Sequence, residues 1–396
     1  MELLYKKLSY LTNIYEACYI LSGENMESIG IICEYSPFHN GHLYHINKVK
    51  ELFKDSTIIL VINGYFLERG SISLMSKSNK TKIALEYGVD LVLELPTIYG
   101  TQSADVFASK SIEILNKFQV NRIVFGSECD NISILESIAK KQIENKNEID
   151  KLVKENLKTG MSYPVSLAKS LNIDEIKPND LLGISYIKCI LENKYNIEYT
   201  SIKRTNEYLD VSDNSCIISA TNIRKKLQDN KNINKFIPGY KSELISKIDY
   251  DKLFELLKYK IITDNYLDNY LDVTEGLDKK LKNVIYKSNS MEELINNVKS
   301  KRYTFNRVNR MLTHILLGIE KDVNDINNSY IRVLGFNNKG KNYLSKIKKE
   351  INTCIDKNSY IYRYELVAAS LYELITNTKC LQFELAKKPI YVKECD

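Results

Sequence analysis

Three of the four histidines in this 396-residue chain, His39, His42 and His45, fall close together in one stretch, "GIICEYSPFHNGHLYH", Gly30 to His45. The run "IGIICEY" reads as a strand, "SPFHNG" as a turn built on Pro37 and the Asn40-Gly41 pair, and "HLYHINKVKELF" as a helix. This puts His39 in the loop and His42 in the first turn of the helix. Backbone N–H groups are unpaired there and the helix dipole is positive. Gly41 lets the backbone approach a ligand closely. Two imidazoles beside a helix N-terminus make a site for phosphate. When an oxygen nucleophile attacks the α-phosphate of ATP, charge builds on the phosphate oxygens. Fixed donors stabilise that charge, and no protein nucleophile is needed. His45 follows one turn deeper on the same face, where it either lines the pocket or packs.

A second segment, "IISATNIRKKL", Ile217 to Leu227, has the residue types for the rest of a triphosphate. Ser219 and Thr221 precede a helical run, and Arg224 offers a planar fork to phosphate oxygens. Taken alone, the segment reads equally well as a capped helix with a solvated basic face. Paired with the histidine turn, it points to the β- and γ-phosphates, with His39, His42 and Arg224 as the catalytic set.

The elements that must hold these residues are legible in outline. The apolar runs "SIGIICEY", "STIILVING", "DLVLELP", "NRIVFGSE" and "IEYTSIKR" are of buried-strand type, and segments of helical spacing separate them. The repeat predicts an α/β fold, a Rossmann-like doubly wound parallel sheet that binds ligand beyond the carboxyl ends of its strands. The segments to watch are therefore Glu34 to His42, Asn63 to Gly70, Glu94 to Pro96, Gly126 to Glu128, and Lys203-Arg204. Five of six prolines and eleven of fifteen glycines lie at or before Gly239, and the remainder reads as mostly helical. We expect an N-terminal extension over 1–25, a nucleotide-binding catalytic domain over 26–230 and a helical domain over 231–396. Met26, three residues before the first strand, is a candidate native start. The net charge of +6 permits an anionic partner without demanding one. Eight scattered cysteines form no CxxC pair and read as reduced packing residues, with no metal site among the candidates. No apolar run approaches a membrane span, and the first residues do not form a secretory signal, so a cytoplasmic location is expected.

His-x-Gly-His followed by "ISATNIR", Ile218 to Arg224, resembles the nucleotidyltransferase superfamily that includes adenylyltransferases and class I aminoacyl-tRNA synthetases. The ordered set "GIICEYSPFHNGHLYHI", "DLVLELP", "FGSE", "PNDLLGISYIK", "IKR", "ISATNIR", "KRYTFNRVNRMLTHILLGI" and "IRVLGF" resembles the tRNA(Met) cytidine acetate ligase family from about Ile29 to beyond Phe336. The resemblance implies a ligase that activates acetate with ATP, with Mg2+ as companion ion, to acetyl-adenylate and pyrophosphate. It then acetylates the wobble cytidine of elongator tRNA(Met), giving N4-acetylcytidine. It also implies an ATP loop comprising Ile32, Cys33, Glu34, Tyr35, Ser36, Pro37, Phe38, His39, Asn40, Gly41, His42, Leu43, Tyr44 and His45. Gly126, Asn179 and Arg204 join it, along with Ser219 and Thr221. Glu34 is left between orienting the histidines and meeting magnesium.

The chain departs from the family pattern at Ser36, Glu68 and Lys80, where asparagine, glutamine and arginine are usual. Lys301, Arg302, Arg307 and Arg310, interleaved with Tyr303 and Phe305, suit a single-stranded RNA loop, and a helix with solvated arginines is the plain alternative. Two other functions share parts of these signals: a small-molecule adenylyltransferase of cofactor synthesis and a non-catalytic RNA-binding protein. Oligomeric state has no sequence signal.

Overall fold

A computed structural model of the chain describes residues 27–204, 216–274, 276–325, 331–347 and 359–393. Residues 1–25 and Met26 lie outside the described residues. The five expected strands form: β1 (Ser28–Cys33), β2 (Thr57–Asn63), β3 (Leu91–Leu95), β4 (Arg122–Ser127) and β5 (Glu198–Lys203). All five are parallel, in the order β5-β4-β1-β2-β3. The chain order reverses between β1 and β4, which opens a crevice at the carboxyl ends of those two strands. β2 and β3 are buried at every residue, as continuous apolar runs with helices on both faces require.

Alternation along the strands divides the core. Ile59, Val61, Leu91 and Leu93 pack on one face, and Ile29, Ile31, Ile58 and Leu60 pack on the other. The linking helices are α1 (Asn40–Leu52), α2 (Lys77–Glu86), α3 (Thr97–Gly100), α4 (Ala104–Lys117), α5 (Ile132–Glu144), α6 (Lys146–Lys158), α7 (Tyr163–Ser170), α8 (Pro178–Asn193) and α9 (Ala220–Gln228).

The C-terminal part contains α10 (Tyr250–Thr263), α11 (Leu277–Val284), α12 (Met291–Val298) and α13 (Phe305–Leu317), which share a core of their own around Leu257, Leu281, Leu294 and Leu312. The chain then returns to the sheet. β6 (Val333–Phe336) pairs antiparallel with β3, and β7 (Ile390–Tyr391) pairs with β6. Between them lie α14 (Asn338–Ile347), α15 (Tyr360–Thr376) and α16 (Leu381–Ala386). The region expected to be mostly helical thus contributes two short edge strands. Four and two residues are too few to stand out as apolar runs. Among the described residues no helix is long and apolar enough to cross a membrane.

Candidate active site

The histidine turn forms as its sequence predicts, with a capping arrangement made by imidazoles. His39 is the N-cap of α1, and its Nδ1 accepts from the Gly41 N–H at 3.0 Å. The His39 N–H in turn donates to His42 Nδ1 at 3.3 Å. Each ring therefore accepts at Nδ1, which fixes its proton on Nε2. Both rings are left with an Nε2–H donor that has no partner among the described residues. The two rings are stacked obliquely, centroids 4.0 Å apart. Gly41 serves this packing directly, since a Cβ there would sit 2.7 Å from His39 Cε1. Tyr35, in left-handed backbone at φ 48°, presses its ring to within 4.6 Å of His42. Such strain on a non-glycine residue, about 1–3 kcal/mol, is typical of functional turns.

Burial, reinforced by the positive charge of Arg204 and then Arg224, lowers the His39 pKa to about 3. Burial also lowers His42 well below its usual value, with His39, His45 and Arg204 adding to it. Burial and Arg204 lower His45 to about 4, and its buried Nε2 lacks a hydrogen-bond partner among the described residues. The imidazoles are neutral donors at physiological pH.

The second motif closes on the first. Ser219 caps α9, accepting from the Asn222 N–H at 3.3 Å. Arg224 donates to the Ser36 carbonyl at 2.9 Å, across 188 residues of sequence, and to Thr221 Oγ1 at 3.0 Å. Asn40 Nδ2 donates to the carbonyls of Cys216 (2.7 Å) and Lys235 (2.9 Å), pinning the segments on both sides of α9 to the histidine turn. Two helix N-termini thus face one cleft of about 280 Å³.

The cleft is lined by Ile32, Cys33, Glu34, Tyr35, Ser36, His39, Gly41, His42, Tyr44, His45, Gly126, Asn179, Arg204, Ser219, Thr221 and Arg224. Pro37, Phe38, Asn40 and Leu43 stand behind it as framework. Burial drives the Cys33 thiol up to about 12, so it stays protonated. At the far side, Glu128 anchors the start of α8 by accepting from the N–H groups of Asn179 (3.1 Å) and Asp180 (3.0 Å) and from Asn179 Nδ2 (2.5 Å). Asn179 Oδ1 then meets Arg204 at 3.5 Å. Gly126 keeps the floor open beside Arg204, whose Cγ lies 3.4 Å from where a Cβ would be.

Several lining residues were not among the candidates: Phe107, Phe125, Leu182 and Tyr186 come from elements packed against the cleft. Leu67, Glu68 and Arg69, within the expected segment Asn63 to Gly70 after β2, line it as well, as does Ser71 just beyond. Lys80, which stands where the family pattern has arginine, turns inward. Fully buried, it donates to the carbonyls of Gly64 (2.7 Å) and Asn63 (3.2 Å). Glu34 Oε1 accepts from Asn63 Nδ2 (2.6 Å) and the Glu68 N–H (2.8 Å), so this oxygen is not what orients the histidines.

None of the four basic candidates of the C-terminal part lines the cleft. Lys301 and Arg302 are exposed, and the guanidinium of Arg307 lies over the Tyr303 ring at 4.7 Å. Arg310 differs. It turns inward, with NH1 at 3.3 Å from Glu68 and Nε at 3.5 Å from Asp272, because α13 docks on the segment that lines the cleft. Asn309 donates to the Arg69 carbonyl and Thr313 to that of Gly70. Gly70, at φ 74°, lies so close that a Cβ would be 2.6 Å from the Arg310 backbone.

Comparison with known proteins places this geometry in context. A family model described as HIGH Nucleotidyl Transferase matches residues 26–387. A tRNA(Met) cytidine acetate ligase of Caldicellulosiruptor saccharolyticus is 36% identical over 93% of this chain and 99% of its own length. One of Thermosipho africanus is 39% identical over 82% of this chain and 83% of its own. A crystal structure of Thermotoga maritima TmcAL bound with alpha-thio ATP superposes with a TM-score of 0.81 at 27% identity, covering 93% of this chain and all of that one.

Proposed function

The chain belongs to the HIGH nucleotidyltransferases and, among them, to the tRNA(Met) cytidine acetate ligase family, and from this premise we propose an ATP-dependent ligase that activates acetate as acetyl-adenylate and acetylates the wobble cytidine of elongator tRNA(Met). The observation that carries the proposal is the convergence of two helix N-termini, two Nε2–H imidazoles and Arg224 on one cleft.

In the first half-reaction an acetate oxygen attacks the α-phosphorus. The bond to the β-phosphate breaks, and pyrophosphate leaves with the electron pair. His39 and His42 donate to the α-phosphate oxygens, whose charge rises in the transition state. Arg224, Ser219 and Thr221, with the N–H groups of α9, hold the departing phosphates. Gly126, Asn179 and Arg204 receive the adenosine end. Mg2+ bound to the triphosphate would offset the charge of the departing phosphates beside Arg224; among the described residues no group of three His, Cys, Asp or Glu side chains lies together to hold a metal ion.

Residues 26–230 supply this chemistry and 231–396 help seat the RNA. Lys301, Arg302 and Arg307 meet its phosphates, Tyr303 offers a stacking face, and Arg310 holds α13 in place. The test is acetate-dependent exchange of labelled pyrophosphate into ATP, with and without unmodified tRNA(Met). Exchange that requires acetate is the expected result. Nucleotide binding without exchange would shift the assignment to adenylyl transfer onto a phosphorylated cofactor precursor.

A further inference from the structure

The charge of the cleft is uneven. His39, His42, Arg204 and Arg224 present donors and cations, as phosphate requires, while Glu34 and Glu68 present carboxylates. Glu68 is neutralised by Arg310 at 3.3 Å and Arg69 at 3.7 Å. Glu34 has no cation within ion-pair distance among the described residues. Its Oε1 is fixed from two sides, by Asn63 Nδ2 and the Glu68 N–H. Asn63 is itself fully buried, with its Oδ1 turned to the Lys80 ammonium at 3.5 Å. The carboxylate therefore cannot rotate freely. Its Oε2 accepts no hydrogen bond among the described residues and belongs to a residue that lines the cleft. A preorganised carboxylate oxygen repels phosphate and suits an N–H that must lose its proton. The same cleft carries the rings of Phe107, Phe125 and Tyr186, the last two with centroids 5.8 Å apart. Aromatic walls with a carboxylate acceptor match a flipped cytosine, whose exocyclic amine donates to acidic side chains.

Building on the reading that the acceptor is the wobble cytidine, we propose that Glu34 is the general base of the transfer step. The N4 amine attacks the acetyl carbon and a C–N bond forms. The C–O bond to AMP breaks, and its electron pair stays on the phosphate oxygen of AMP. The proton shed by the amine passes to Glu34 Oε2 and then to solvent. The amine of cytosine is a weak nucleophile because its lone pair is delocalised into the ring, so removing this proton during attack matters.

Glu34→Gln tests the assignment. Its amide oxygen still accepts from Asn63 and Glu68, so the framework is retained. Enzyme preloaded with acetate and ATP is challenged with unmodified elongator tRNA(Met) or with hydroxylamine, a strong nucleophile that needs no base. General-base loss predicts that the ratio of tRNA acetylation to acetohydroxamate formation, in which any change in acetyl-adenylate formation at this ATP-loop residue cancels, falls about tenfold or more. Equal slowing with both acceptors, or tRNA acetylation within about threefold of wild type, would overturn the proposal. Absence of acetate-dependent exchange in the wild-type enzyme would instead overturn the acetate ligase reading, and this proposal with it.

Discussion

At the residue scale, the histidines combine two jobs that side chains usually divide. His39 caps α1, a task that commonly falls to Ser, Thr, Asp or Asn, and this cap fixes the tautomer that its chemistry needs. The two roles separate by substitution. His39→Asn keeps an oxygen for the cap and loses the Nε2–H donor, so pyrophosphate exchange should fall about 100- to 1000-fold with little change in melting temperature. His42→Ala should lose exchange similarly while tRNA binding, measured by filter retention, is unchanged. Burial also ties these residues to pH. The folded His39 and His45 titrate at about 3 and about 4, against 6.5 in the unfolded chain. Between these values the unfolded chain binds protons that the folded chain refuses. Their contribution to stability is therefore full above pH 6.5 and lost as the pH falls toward 4 for His45 and toward 3 for His39. Calorimetry across this window should show a falling midpoint, with a shallower fall in His45→Gln.

At the element scale, the decisive contact is α13 on the segment Glu68–Ser71. One side of this segment lines the cleft, and the other accepts hydrogen bonds from Asn309 and Thr313 and the Arg310 guanidinium. The proposed RNA-facing residues at the start of α13 are thus fixed relative to the nucleotide. Arginines one helical turn apart then have different tasks. Arg307→Ala should lower the slope of log affinity for tRNA against log salt by about one. Arg310→Ala should leave that slope alone and lower the melting temperature, because Asp272 loses the guanidinium and Glu68 keeps only Arg69. Equal changes of slope in the two variants would place Arg310 on RNA as well.

At the scale of the whole molecule, a buried ionic cluster joins the two ends of the chain. Lys77 of α2 pairs with Glu94 of β3, with Glu365 of α15 at 2.7 Å and with Glu384 of α16 at 3.0 Å. Arg332, just before β6, also pairs with Glu384, and Tyr65 Oη donates to Glu384 at 2.7 Å. Three carboxylates face two cations in a dry interior. Burial raises the Glu365 carboxyl against the pull of Lys77, and both its oxygens accept hydrogen bonds, from the Thr97 N–H and hydroxyl and from Lys77. Lys77→Met would leave these carboxylates short of a cation, at a cost of about 3–5 kcal/mol that urea unfolding would read as a lower midpoint. This interior crosses the proposed boundary at 230/231: Arg332, Glu365 and Glu384 close around Lys77 and Glu94.

The sequence by itself determined the five parallel strands, four of them as apolar runs, whereas β5 reads as a buried run and is a mixed, mostly unburied edge strand; it also determined the histidine turn, because strand, turn and helix are local events. It also marked "ISATNIR" as that turn's partner, and the residue types there stated the chemistry. Contacts between distant segments were decided only by the tertiary structure. Arg310 looks like a solvated base in its own helix and becomes a clamp only because Glu68 lies opposite. Lys77 and Lys80 lie in a polar run, and only packing decides that both are buried. The fixed carboxylate of Glu34 and the aromatic wall of Phe107 and Tyr186 have no local pattern, because they are made by elements that meet only when the sheet closes. Local chemistry is written in neighbouring residues, whereas burial and pairing depend on which distant segments fold together.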